Sequence, residues 1–274
     1  MRYEYSPQSR EALPVVVKNL LIINGLFLLV KILLGFDAAH ISKLDTLLGL
    51  HSISSPDFKP WQVVTHMFMH AGPDGRSGVW MMHILSNMFA LFMFGAPVER
   101  LWGAQRFLKY YMLCGLGAAA LQMTIDYQQV AKLEQAAIEQ GVDLEAVKRA
   151  TVLVHISQVE ANQEIAGSGV KGPAMDAAAT DLFSAYLGVM VGASGAVFGI
   201  LLAFGMFFPN VELMLLFFPI PIKAKYFVIM YGLFELYSGL QPKAGDNIAH
   251  FAHLGGMIFG FIVIRWWKKR ELFF

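Results

Sequence analysis

The feature that most constrains this chain is a series of long apolar stretches. Reading along it gives 13–35, 80–98, 107–125, 182–208, 226–240 and 248–267. A bilayer core about 30 Å thick needs about 20 mostly apolar residues to cross it as helix, so these six are expected to span a membrane. Lys18 and Lys31 fall near the ends of the first, where long amines can reach the headgroups. The fourth is interrupted by Gly188, Gly192 and Gly195. Its first half is expected to descend without helical structure, tolerated at depth only where other helices bury it or water bathes it. Composition agrees: 56% of the residues are hydrophobic and 15% charged, with 22 Phe among 274 residues. That excludes a disordered chain and an ordinary water-soluble domain. A net charge of +1 speaks against a nucleic-acid partner, and the single Cys114 cannot form an internal disulfide.

Two connections differ from the rest. Residues 36–79 are mixed in polarity and broken by Pro56, Pro60 and Pro73, with Phe58, Trp61 and Phe68 placed to anchor at the membrane surface. Residues 126–181 hold nine of the 20 acidic residues and four of the 21 basic ones. Within them 130–140 and 142–158 read as amphipathic helices, with Gly141 as a stop. The expectation is a single membrane domain over 1–274 that carries a water-facing helical insert at 126–181. With the N-terminus inside, the inner loops collect Arg2, Arg10, Lys18, Arg100, Arg106, Lys109, Lys223, Lys225, Arg265, Lys268, Lys269 and Arg270. The outer ones hold only Lys31, Lys43, Lys59, Arg76 and Lys243. The positive-inside rule then puts both termini in the cytoplasm and the insert outside, and the cell (inner) membrane is the expected location.

Polar groups inside such stretches are costly unless they serve a purpose. His83 and Asn87, four residues apart, share a helical face in the second stretch. Ser194 lies in Gly192-Ala193-Ser194-Gly195 in the fourth, and His250 and His253 open the sixth. Each alone also fits a packing residue or a satisfied interhelical hydrogen bond. Gly195, Gly199 and Ala203 recur every four residues, as do Gly256 and Gly260, and such small faces let backbones approach closely. If those two faces meet, a hydroxyl lies beside an imidazole: a nucleophile with a neighbouring base.

In order and placement, His83-x-x-x-Asn87, Gly192-Ala193-Ser194-Gly195 and His253-x-x-Gly256-x-x-x-Gly260 resemble the rhomboid family of intramembrane serine proteases. Thr65-His66-Met67-Phe68-Met69-His70 and Glu99-Arg100 support the resemblance, which runs from about residue 60 to 267 and omits the insert. It implies an all-α polytopic membrane protein, a six-transmembrane-helix bundle with the helical insert between helices 3 and 4. It also implies a Ser194–His253 dyad without an acidic third member. His83, Asn87 and the Ser194 amide would bind the oxyanion, and Phe198 would lie against the histidine in the binding region, though lipid-facing packing is the alternative for that ring. His253 is preferred to His250 because the Gly-x-x-x-Gly register starts from it.

The substrate so implied is a single-span membrane protein within the lipid bilayer, cut within or near the outer end of its transmembrane helix, with no cofactor or metal. Residues 226–240 and the 241–247 loop are the expected gate for water and substrate. Trp61-Gln62 stands where the family often has Trp-Arg, and Glu235 has no counterpart and is expected near the outer interface. Other readings are an inactive rhomboid-like protein that binds transmembrane helices, a small transporter, and a metal or haem protein. Against the last, no acidic ligand is expected beside the core histidines.

Overall fold

The computed structural model describes residues 13–36, 41–73, 79–167, 172–215, 218–241 and 249–270. Helix dominates: α1 (Val15–Leu34), α2 (Lys43–Leu48), α3 (Gln62–Thr65), α4 (Val79–Ala90), α5 (Ala96–Trp102), α6 (Ala104–Glu139), α7 (Leu144–Leu153), α8 (Gln158–Gly167), α9 (Pro173–Leu187), α10 (Ser194–Phe207), α11 (Ala224–Leu240) and α12 (His250–Lys269). A π-helical turn, Leu91–Gly95, joins α4 to α5. Two small antiparallel pairings accompany the helices: β1 (Leu50–His51) with β2 (Val189–Met190), and β3 (Glu212–Leu215) with β4 (Phe218–Lys223). Among the described residues two helical runs are long and apolar enough to cross a membrane, Val15–Leu34 and Trp80–Trp102, and Ser194–Phe207 is a shorter apolar helix. Exposed apolar side chains such as Leu26, Leu29 and Leu33 on α1, or Ile229, Leu233 and Tyr237 on α11, mark faces that water would not favour.

The chain divides into two compact units: 1–24, 84–122 and 193–274, and 25–83 with 123–192. In the first, Glu99 is buried and its carboxylate accepts the amides of Val16 and Val17 at 2.9 and 2.8 Å. It thereby satisfies donors that the first turn of α1 would otherwise leave unpaired. Tyr110 donates to the Gly199 carbonyl at 2.8 Å, and its ring meets Trp102 edge-on.

The second unit departs from expectation in three ways. Residues 107–125 and 130–139 are one continuous helix, α6, about 54 Å long at 1.5 Å per residue. It stops where expected, at Gly141, whose φ of +79° suits glycine. Second, α7 begins only at Leu144, where Asp143 accepts the Glu145 amide as an N-cap, and residue 158 already belongs to α8. Third, residues 182–187, expected to descend without helical structure, end α9; only 188–193 are non-helical. The insert and the end of α9 build a core from Val130, Ala137, Val142, Val147, Ala179, Leu182 and Tyr186.

That insert is tied to the 36–79 connection. Ser55 Oγ donates to the Tyr186 carbonyl at 2.7 Å, and His155 Nε2 meets Asp57 at 2.9 Å. Gln62 is fully buried. Its amide oxygen accepts from Lys59 N–H, and its nitrogen donates to the carbonyls of Thr46 and Asp57. Lys31 does not reach for headgroups: it is buried, bonding Asp45 at 2.5 Å and the His70 carbonyl at 2.7 Å. A buried cation needs such partners, since removing one side of a pair costs about 3–5 kcal/mol.

His66 and His70 are buried in this connection. Burial pushes the His66 imidazole down to about 4, against hydrogen bonds to the backbone that pull the other way. Burial likewise takes His70 to about 3, helped by the charges of His83 and Lys31. Both are held neutral in the folded protein, while in the unfolded chain they would take a proton near 6.5. Their contribution is therefore complete above pH 6.5 and lost as pH falls from there toward 4. The thermal unfolding midpoint in detergent is expected to fall as pH drops across that window. The His66→Asn variant, whose amide can still donate to the Gln62 carbonyl that Nδ1 bonds at 2.8 Å, should show a shallower slope. An unchanged slope would remove His66 from the acid sensitivity.

Candidate active site

Ser194 opens α10. The residues before it are set within the second unit: His51 pairs with Val189, Leu50 with Met190, and the Gly192 amide donates to the His66 carbonyl at 3.0 Å. Gly192 has φ of +137°, a conformation that side chains rarely adopt. As the first helical residue, Ser194 has an amide with no acceptor within the helix, which suits it to developing negative charge.

In the first unit the two small faces meet. A Cβ on Gly256 would collide with the Gly195 backbone, and one on Gly199 would run into the Cys114 side chain. α6 joins them: Ala118 faces both Gly195 and Gly255, and Cys114 also lies beside Gly260. This approach leaves His253 Nε2 at 2.9 Å from Ser194 Oγ. Phe198, one turn after Ser194, stacks on the His253 ring with centroids 4.1 Å apart and planes 7° from parallel. Tyr231 of α11 packs on Phe198 at 4.9 Å.

Glu235 was expected at the outer interface, with no acidic partner for the histidines. It is instead buried, 2% exposed, and its Oε2 accepts from His253 Nδ1 at 2.9 Å and from His250 Nδ1 at 2.6 Å. A carboxylate is acceptor-only, so each Nδ1 is the donor and the His253 Nε2 lone pair faces the serine hydroxyl. The serine, imidazole and carboxylate form a hydrogen-bonded line. Its sequence signal was a charge inside an apolar stretch, the same signal that singled out the histidines. One ring nitrogen each of His250 and His253 and a Glu235 oxygen also lie within 4.8 Å of one another, a donor set able to hold a metal ion. This overturns the expectation that no acidic ligand joins the core histidines.

Asn87 is buried in α4 within the first unit. His83 belongs to the second, where its Nδ1 accepts the Ala71 amide at 3.1 Å and its ring meets His70 at 5.3 Å. With Nδ1 accepting, the neutral ring carries its proton on Nε2 and is a donor there. Of the expected gate, residues 242–247 lie outside those described.

A hydroxyl, an imidazole and a carboxylate in hydrogen-bonded line among apolar helices are groups of the kind that can support acyl transfer. The Rhomboid domain profile matches residues 57–132 and 167–269, well over half of the chain. The chain belongs to the Rhomboid family, a family of membrane proteins that are generally serine intramembrane proteases. The match skips 133–166, within the insert. A search of curated proteins found no significant match.

Gly256→Ala should drive α10 and α12 apart, lowering stability by about 1–3 kcal/mol and lengthening the Ser194–His253 contact. Gly232→Ala is the control, since a Cβ there meets only the end of the flexible Met257 side chain. Equal unfolding midpoints for the two variants would show that the close approach is not limiting.

Proposed function

We propose that this protein is a rhomboid-type intramembrane serine protease that cleaves single-span membrane proteins within or near the outer end of their transmembrane helix. The observation that carries this is the 2.9 Å contact between Ser194 Oγ and His253 Nε2. Family membership supports it. As Ser194 Oγ attacks the scissile carbonyl, its proton passes to His253 Nε2 and the carbonyl electrons move onto oxygen. Collapse of the tetrahedral species expels the amine, which takes that proton from Nε2. Water then gives its proton to Nε2 and attacks the acyl-enzyme. Collapse releases the new carboxyl terminus and returns the proton to Ser194.

Oxyanion donors are assigned to the Ser194 amide, Asn87 and His83, whose Nε2–H tautomer suits the task. Phe198 fixes the base ring and borders the binding region. Six spans are assigned to α1, α4 with α5, the apolar part of α6, α10, α11 and α12. The insert 126–181 lies on the outer face, and both termini lie in the cytoplasm of a cell-membrane protein. No cofactor is needed.

In proteoliposomes with a single-span substrate, Ser194→Ala and His253→Ala should each lose activity by at least about 10³-fold. A fluorophosphonate should label wild type but not Ser194→Ala. Wild-type-like cleavage by either variant would sink the assignment. Asn87→Ala should lower kcat by about 10²-fold with KM little changed, and unchanged kcat would remove Asn87 from the oxyanion site.

A further inference from the structure

We propose that Glu235 is the positioning residue of the site: it fixes the tautomer and in-plane orientation of His253, with His250 as the second clamp on its carboxylate. The proposal rests on the serine-protease function above and converts its dyad into a three-membered line.

A neutral imidazole accepts the serine proton only if the proton it already carries is on the other nitrogen. An unsupported histidine exchanges between the two tautomers, and the one with hydrogen on Nε2 has nothing to offer Ser194. Oε2 of Glu235 at 2.9 Å from Nδ1 removes that choice, because a carboxylate oxygen can only accept. Phe198 restrains the tilt of the ring by stacking at 4.1 Å, yet stacking leaves the ring free to turn in its own plane. The Nδ1–Oε2 bond opposes that rotation. The two contacts are complementary, one across the ring and one in its plane.

The carboxylate is itself held. His250, one turn earlier on α12 and 7% exposed, donates to the same Oε2 at 2.6 Å. The two imidazole planes stand at 86° to each other, so they approach that oxygen from different directions. A carboxylate that is 2% exposed in an apolar stretch is costly to keep unless its environment compensates it. Two charge-assisted donors do so, and one of them belongs to the residue that touches the serine. Glu235 sits on α11, whereas the base sits on α12 and the nucleophile on α10, so three helices converge on one line of atoms.

The same atoms could serve merely to join α11 to α12, or could hold a metal ion, and the experiment separates these. Wild type, Glu235→Gln and Glu235→Leu are assayed as full-length protein in proteoliposomes with a single-span substrate. Histidine-selective ¹⁵N solid-state NMR follows the tautomer, with His253 signals assigned by difference against His253→Ala. Wild-type His253 should carry its proton on Nδ1. Glu235→Gln should keep KM within about twofold while kcat falls by about 10²-fold or more, in line with removal of the acid from a serine–histidine–acid line. Glu235→Leu should in addition populate the Nε2–H form.

Three results would overturn the proposal. One is kcat within about threefold of wild type in both variants. Another is an activity loss matched by loss of folded protein with the His253 tautomer unchanged. The third is stoichiometric zinc in the purified protein whose removal abolishes cleavage. Should Glu235→Leu fail to fold, the isosteric glutamine variant carries the kinetic test, and an Nε2–H tautomer in wild type overturns the proposal without any variant. Absence of fluorophosphonate labelling in wild type would instead defeat the protease assignment itself.

Discussion

The close passage of α10 past α12 is the contact on which the rest of the site depends. At Gly256 the backbone of α10 comes so near, at Gly195, that there is no room for a methyl group, and Gly195 itself is closed off by Ala118 of α6. In lipid there is no hydrophobic drive to press helices together, so association relies on dispersion between closely fitted surfaces, and glycine maximises that contact. Ser194 immediately precedes one of these glycines, and His253 precedes the other by a single turn. Packing that brings the glycines together therefore brings the hydroxyl to the imidazole. Ala118 and Cys114 of α6 close the third side and keep the two helices from sliding apart.

Within the second unit a polar framework replaces that apolar fit. Gln62 binds backbone groups of Thr46, His51, Asp57 and Lys59, Lys31 ties the end of α1 to α2 through Asp45, and α9 and the insert are fastened through Tyr186 and His155. The β1–β2 pairing and the Gly192–His66 bond fix the backbone up to two residues before the serine. Ser194 is thus preceded by a non-helical segment whose residues 189, 190 and 192 are paired with backbone elsewhere, as such a segment among helices requires.

How much of this was legible in the sequence follows from what periodicity encodes. Apolar length and small-residue spacing are properties of one segment, so the helical stretches and the glycine faces could be read before any coordinates, while the choice of His253 beside Ser194 came from the rhomboid resemblance. Glu235 could not be placed, because its partners lie 15 and 18 residues away on another helix and no spacing rule links them. Its nearness to the end of a short apolar stretch made an interfacial position the simpler expectation. Lys31 misled for the same reason: its long aliphatic stem fits either snorkelling or burial, and only Asp45 decides between them. The continuity of α6 was hidden by its change from apolar to polar composition, which alters what the helix touches without interrupting its hydrogen bonds.

A low-dielectric site gives the carboxylate a meaning beyond geometry. A neutral serine–histidine pair must create two opposite charges where none existed when the proton moves, and separating charge in such a medium is expensive. With Glu235 ionised behind the base, a negative charge is already present and already held by two donors. Transfer of the serine proton then makes an imidazolium that neutralises this carboxylate, while an equal negative charge appears on the oxyanion. The net charge of the site stays the same throughout, and the negative charge is in effect displaced from one set of donors to another. Catalysis on this scheme depends less on creating ions in lipid than on having donors ready at both ends of the line.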